Sequence, residues 1–119
     1  EVYDCILHPD AIACMATCMD IHNKDNPGGT LHVPDKPYFD VPYGCLVAKG
    51  VENLLVAGRA ISADAKAGSA IRMVASCMAF GQAAGTAAAM AIRAGLPVRR
   101  VPTDTLRENL TRQGAFVGA

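Results

Sequence analysis

The chain is 119 residues long, about one domain, and its 11 Lys plus Arg balance 11 Asp plus Glu, so it carries no formal net charge. That balance supplies neither a basic surface for nucleic acid nor an acidic tail. Hydrophobic residues make up 51% of the sequence and aromatics only 5%, with no Trp. Much of the apolar share is Ala, so the core is thinner than the percentage suggests. The five cysteines (Cys5, Cys14, Cys18, Cys45 and Cys77) are odd in number and lack a framework spacing. They read as free thiols in a reducing, cytoplasmic setting. The first residue is Glu and no charged-then-apolar leader follows it, which suggests a processed or excised piece.

In chain order, Pro9 to Ala16 reads as a helix, with Pro9 early and Asp10 in its first turn. Asn23 to Thr30 is a loop on turn chemistry alone. Leu31-His32-Val33 is a short extended piece that ends at Pro34, and Asp35-Lys36-Pro37 is a turn. Tyr38 to Val47 has strand character, but Pro42 demotes it to an edge or irregular strand. After a turn at Lys49-Gly50, the continuous apolar run Asn53 to Ala57 predicts a fully buried strand.

A long Ala/Gly-rich helix follows, expected to begin near Ala70 or Ile71 with Ser69 as N-cap and to end at Gly95. Met73 to Ile92 has no formal charge, and Gly81 and Gly85 form a GxxxG match. The run has few large aliphatics and no aromatic belt, so a helix packed within protein fits better than a membrane span. Gly81 and Gly85 are costly in a helix interior and suggest close approach of another backbone. A last helix over about Asp104 to Gln113 takes Thr103 or Asp104 as cap and Gly114 as stop, with Leu106 and Leu110 as its buried stripe.

These residues form a recognisable set. Tyr38-Phe39-Asp40-Val41-Pro42-Tyr43-Gly44-Cys45-Leu46-Val47 resembles the Y-Y-D-I-P-Y-x-C-L-V segment of a family of FAD-dependent oxidoreductases. Val51 to Arg59 is similar to the final strand of that family's FAD domain, and Ile71-Arg72 with Cys77 to Ala89 is similar to its closing helix. Asp20-Ile21-His22 and the terminal Leu106 to Gly114 helix also have counterparts. The likeness spans nearly the whole chain and is dense from Tyr38 to Ala89.

The resemblance implies an α/β fold: a fragment of a glutathione-reductase-like, Rossmann-like FAD domain plus part of a substrate domain. Residues 1–47 correspond to the substrate-domain-like region and 48–119 to the strand–turn–helix part of the FAD domain. It implies FAD as cofactor, held by Gly58, Arg59, Ser62, Ala70, Ile71, Arg72 and Met73. Gly58 and Arg59 lie on the ribityl and pyrophosphate side, and the backbone near Ala70 to Met73 faces the pyrimidine edge of the isoalloxazine. A helix N-terminus there would stabilise the charge that reduced flavin gathers. No GxGxxG occurs in the 119 residues, so this piece alone is expected to bind FAD weakly or not at all and to be inactive. Its implied partners are the N-terminal half of the same FAD domain and a small-molecule substrate, with no nucleic acid and no membrane. An exposed apolar face makes a homo-oligomer a further expectation. Where the resemblance implies a His-Glu pair, this chain has Ala65-Lys66, so if that imidazole transfers a proton in relatives, this protein lacks the step or uses another group.

Arg72 and His22 are the candidates for catalysis or substrate contact. Arg72 sits where a cation opposes the expected helix dipole, which calls for a specific partner: a substrate carboxylate, or a structural acid. His22 reads as a proton shuttle or as a loop histidine satisfied by a neighbour. Arg59 reads as a flavin phosphate or ribityl neighbour or as a surface turn residue. Cys14, Cys18 and His22 at i, i+4, i+8 would share one helical face, but nothing completes a metal site, and buried apolar cysteines fit better. Cys77 and the five methionines read as packing. A non-catalytic association module, docking through the Ala/Gly helix, is the alternative function.

Overall fold

The computed structural model describes residues 6–22, 24–25, 27–32 and 38–118. Cys5, Val33 and the Pro34 to Pro37 turn lie outside that set. The elements run β1 (Ala11–Met15), β2 (Met19–Ile21), β3 (Thr30–His32), β4 (Phe39–Pro42), α1 (Ala65–Ile71), α2 (Val74–Ala94) and α3 (Thr103–Arg112). Short 3-10 turns occupy Tyr43–Leu46, Gly58–Ala60 and Val98–Arg100. The result is a small α/β unit in which β1 pairs antiparallel with β4, and β2 with β3.

The Pro9 to Ala16 segment is a strand, not the expected helix. Ala11, Ile12, Ala13 and Met15 are all buried, because β4 pairs along one edge while α2 and α3 pack on β1. A strand covered on both sides shows no alternation, so its Ala- and Met-rich run has helical propensity that tertiary burial overrides. A register shift between Ala11 and Ala13 marks a bulge. Arg107 Nη1 donates to the Ala11 carbonyl at 2.7 Å and the Val117 carbonyl at 2.9 Å, which satisfies the irregular edge from α3. The expected strand at Tyr38 to Val47 is confined to β4 and yields at Pro42 to a 3-10 turn.

The run Asn53 to Ala57 is not a buried strand. It makes one isolated antiparallel bridge, Leu55 to Val47, and Val51 and Leu54 are exposed. Leu55 and Ala57 are half-buried against the core, and with no sheet on either side among the described residues the run stays an isolated extended segment. Gly50 (φ 76°) and Asn53 (φ 54°) turn the chain there, in the left-handed region open to Gly and tolerated by Asn.

The long helix is interrupted. α1 begins at Ala65 with Asp64 as N-cap, its carboxylate accepting from the Ala67 amide at 2.7 Å. Ser69 lies inside α1, where its hydroxyl donates to the Lys66 carbonyl, so it caps nothing. After Arg72 and Met73 the chain restarts as α2, which ends at Gly95 (φ 62°) as expected. The face of α2 formed by Ser76, Phe80, Ala83, Ala87 and Ala91 is buried against β1, the Gly58–Ala60 turn and α3. The opposite face is open: Val74, Met78 and Ile92 are 72%, 71% and 82% exposed, and a Cβ at Gly81 or Gly85 would meet nothing within 4 Å. The two glycines therefore do not bring α2 against any backbone among the described residues. α2 is also long and apolar enough to cross a membrane by length and composition. α3 starts at Thr103 with Pro102 in the N-cap position and no side-chain cap, and buries Leu106 and Leu110.

Candidate functional site

The site is built around two chain breaks. The first is Gly58 (φ 68°), which turns the extended segment into the Gly58–Ala60 turn. The second is the two-residue interval Arg72-Met73 between α1 and α2. They are in contact, because Arg59 Nε donates to the Arg72 carbonyl at 3.2 Å. Thr17 holds the same region from the other side, its hydroxyl donating to the Ala70 carbonyl at 2.7 Å.

The second break moves the helix start away from where the sequence placed it. Ala70 and Ile71 close α1, and Ala70 is fully buried. Arg72 is the C-cap of α1 and Met73 the N-cap of α2, so the free amides of the long helix belong to Val74, Ala75 and Ser76. The first bond of α2 runs from the Cys77 amide to the Met73 carbonyl at 3.0 Å. Arg72 thus follows the C-terminus of α1, where a cation is favourable, and directly precedes the N-cap of α2, where it is not.

Arg72 finds its acid within this chain. Its Nη2 donates to Asp20 Oδ2 at 3.2 Å and to the Asp20 carbonyl at 3.3 Å. The same carboxylate faces His22, whose Nε2 lies 3.0 Å from both oxygens. His22 Nδ1 is 3.1 Å from the Pro27 carbonyl. The hydrogen bond to the Pro27 carbonyl, then the hydrogen bond and charge of Asp20, raise the His22 pKa above 6.5. Three sequence candidates, Arg59, Arg72 and His22, thus form one chain of contacts through Asp20. In the sequence Asp20 stands out only within the Asp20-Ile21-His22 resemblance and not as the partner of Arg72, although a cation in need of a partner is the signal for it.

Ser62 and Ile71 line a different feature, a cleft of about 560 Å³ that also takes in Asp40, Cys45, Asp64 and Lys66. The Ser62 amide donates to the Cys45 carbonyl at 2.9 Å and fixes this wall. Ala65 and Lys66 form the first turn of α1. Behind the cleft, Asp40 is buried, pairs across the strands with Cys14 and accepts from the His8 amide at 3.2 Å. Burial, then the Asp40 carboxylate, push the Cys14 thiol up to about 12. Cys14 lies in β1 and Cys18 in the connection to β2, so the helical face that would have joined them to His22 does not exist.

The groups present fit the isoalloxazine and ribityl end of a flavin. The N-terminus of α2 has no side-chain cap and no acidic residue in its first turn, and Met73 and Val74 leave it open. Such a terminus suits an edge that gathers negative charge. A Cβ at Gly58 would meet nothing within 4 Å, so a ligand can approach the backbone of the turn. Residues 1–110 match the family described as FAD dependent oxidoreductase. No curated protein and no solved structure matches the chain.

Proposed function

Because the chain belongs to the family of FAD dependent oxidoreductases, we propose that it forms the flavin-facing part of such an enzyme's site, completing the isoalloxazine and ribityl pocket. The contact between Arg59 and the Arg72 carbonyl carries this reading, since it holds the Gly58 turn beside the uncapped start of α2. Gly58 and Arg59 flank the ribityl and phosphate side. Ser62, Ala70, Ile71, Arg72 and Met73 form the wall toward the ring, and the Val74 to Ser76 amides meet its pyrimidine edge. Flavin, when bound, exchanges a hydride with a small organic substrate. The residues of this chain bind, orient and set local charge: Arg72 faces the substrate, and His22 sets the protonation of the site.

The phosphate end of FAD needs a glycine-rich turn that these 119 residues lack. The N-terminal half of the same FAD domain is the proposed partner that supplies it, and the isolated chain is inactive and colourless. A reducing, cytoplasmic setting belongs to the same proposal. Flavin absorbance of the purified chain, of the chain with added FAD, and of the full-length protein tests it. A yellow full-length protein with a colourless chain supports the half-site. A full-length protein that never holds flavin overturns it.

The open stripe of α2 favours a second reading, an association module without catalysis. Under it the chain self-associates through Val74, Met78 and Ile92, and the full-length protein carries no flavin. Under either reading the isolated chain oligomerises or aggregates, and light scattering that shows a stable dilute monomer would count against both.

A further inference from the structure

Both hydrogen-bonding partners of the His22 ring are oxygens that accept. The Pro27 carbonyl faces Nδ1 at 3.1 Å and the Asp20 carboxylate faces Nε2 at 3.0 Å. A neutral imidazole donates from one nitrogen only, so this arrangement is complete only when both nitrogens carry a proton. The same carboxylate holds Arg72, but by Nη2 alone, and Nε and Nη1 of Arg72 have no partner among the described residues. The turn that carries Pro27 lies directly on this pair: at Gly29 (φ 77°) a Cβ would come 2.7 Å from His22 Cε1 and 2.9 Å from Asp20 Oδ1.

We propose that Asp20 is a positioning residue that clasps a doubly protonated His22 and the Arg72 guanidinium on one carboxylate, joining the Pro27–Gly29 turn to the α1–α2 break. Arg72 is thereby held by Nη2, with Nη1 left for an oxyanion group of the substrate. That last role rests on the proposed function; the clasp does not. The raised pKa of His22 agrees with the geometry, with the Arg72 charge opposing it. The charged groups around His22 are Asp20 on β2, Arg72 at the α1–α2 break, Arg59 held on the Arg72 carbonyl, and Lys24 and Asp25 in its own turn. The clasp is closed at pH values below the His22 pKa and opens as the pH rises through it.

The test is an NMR titration of the His22 ring in the full-length protein, which needs no flavin and so fails independently of the flavin assignment. In the wild type the midpoint lies above 6.5, and the amides of the Pro27–Gly29 turn titrate with it. Asp20→Asn shifts the midpoint down toward the ordinary histidine value, and Asp20→Glu restores much of the shift. Arg72→Gln moves it up, because a repelling cation is removed, and so tests the clasp with Asp20 in place. A wild-type midpoint at or below 6.5, or a midpoint indifferent to Asp20→Asn in a folded variant, overturns the proposal. If Asp20→Asn does not fold, an Arg72→Gln midpoint that fails to rise overturns it.

Discussion

Arg59 and Arg72, both cations, meet without ion pairing: the side chain of one donates to the backbone carbonyl of the other. This arrangement leaves the charge of Arg59 available while fixing its position, and it ties the Gly58 turn to the start of α2. Arg59→Ala removes an exposed charged hydrogen bond of about 1 kcal/mol, so FAD binding by the full-length protein should weaken about five-fold. Arg59→Lys should recover only part of it, since an ammonium lacks the fixed Nε direction. Flavin fluorescence titration reads the effect; an unchanged Kd in Arg59→Ala would remove this residue from the site.

Tyr43 is buried at 4% exposure and its hydroxyl donates to the Val98 carbonyl at 2.7 Å, joining the β4 turn to the segment before α3. Tyr43→Phe keeps the ring and leaves that carbonyl unpaired, at a cost of about 1–2 kcal/mol. Urea denaturation should show a lower midpoint at unchanged slope. An unaltered midpoint would mean that water reaches the carbonyl.

The Cys14 thiol, pushed up to about 12, should be nearly inert. At pH 8 about one molecule in 10⁴ carries the thiolate, against about a tenth at the unperturbed value of 9.0, a difference of roughly three orders of magnitude. Mass-resolved alkylation should leave Cys14 unmodified in the folded chain and label it in urea. Because burial and Asp40 penalise the thiolate in the folded chain, the fold loses stability as the pH rises above the unfolded value of 9.0 and on toward about 12. Rapid labelling of Cys14 in the folded chain would contradict its partial burial beside Asp40.

Gly85→Ala gives opposite results for the chain and for the full-length protein. A Cβ there meets nothing within 4 Å, so the substitution should stabilise α2 in the chain by roughly 0.5–1 kcal/mol. If another layer covers this face in the full-length protein, the added methyl should lower its melting temperature and flavin content. Stabilisation in both contexts would show that the face stays uncovered.

The helix ends and turns are legible where a residue acts through its own backbone. Gly95 and Gly114 stop helices with φ 62° and 85°, and Pro42 ends β4. Elements decided by their neighbours are not. Ala11 to Met15 carries helix-forming residues, and only its enclosure by β4, α2 and α3 makes it a strand. Asn53 to Ala57 carries the composition of a buried strand, yet makes a single bridge and is only half-buried at Leu55 to Ala57. The break at Arg72 has no Pro or Gly to announce it, although Asp64, a ready N-cap, marks where the first helix begins. In the site, Arg72 and His22 are legible as charged groups in need of partners. Asp20 is not, because its place opposite Arg72 follows from β2 and from where α1 ends.

The two faces of α2 answer to separate constraints. Phe80, Ala83 and Ala87 touch the core of this chain, and any change there is felt within it. Val74, Met78, Gly81, Gly85 and Ile92 touch little in it, so this fold alone gives them no reason to be apolar or small. Across relatives, variation on the first face would record the history of this core. Invariance on the second would record a neighbour, and the spacing of the invariant positions would trace the outline of whatever rests against them.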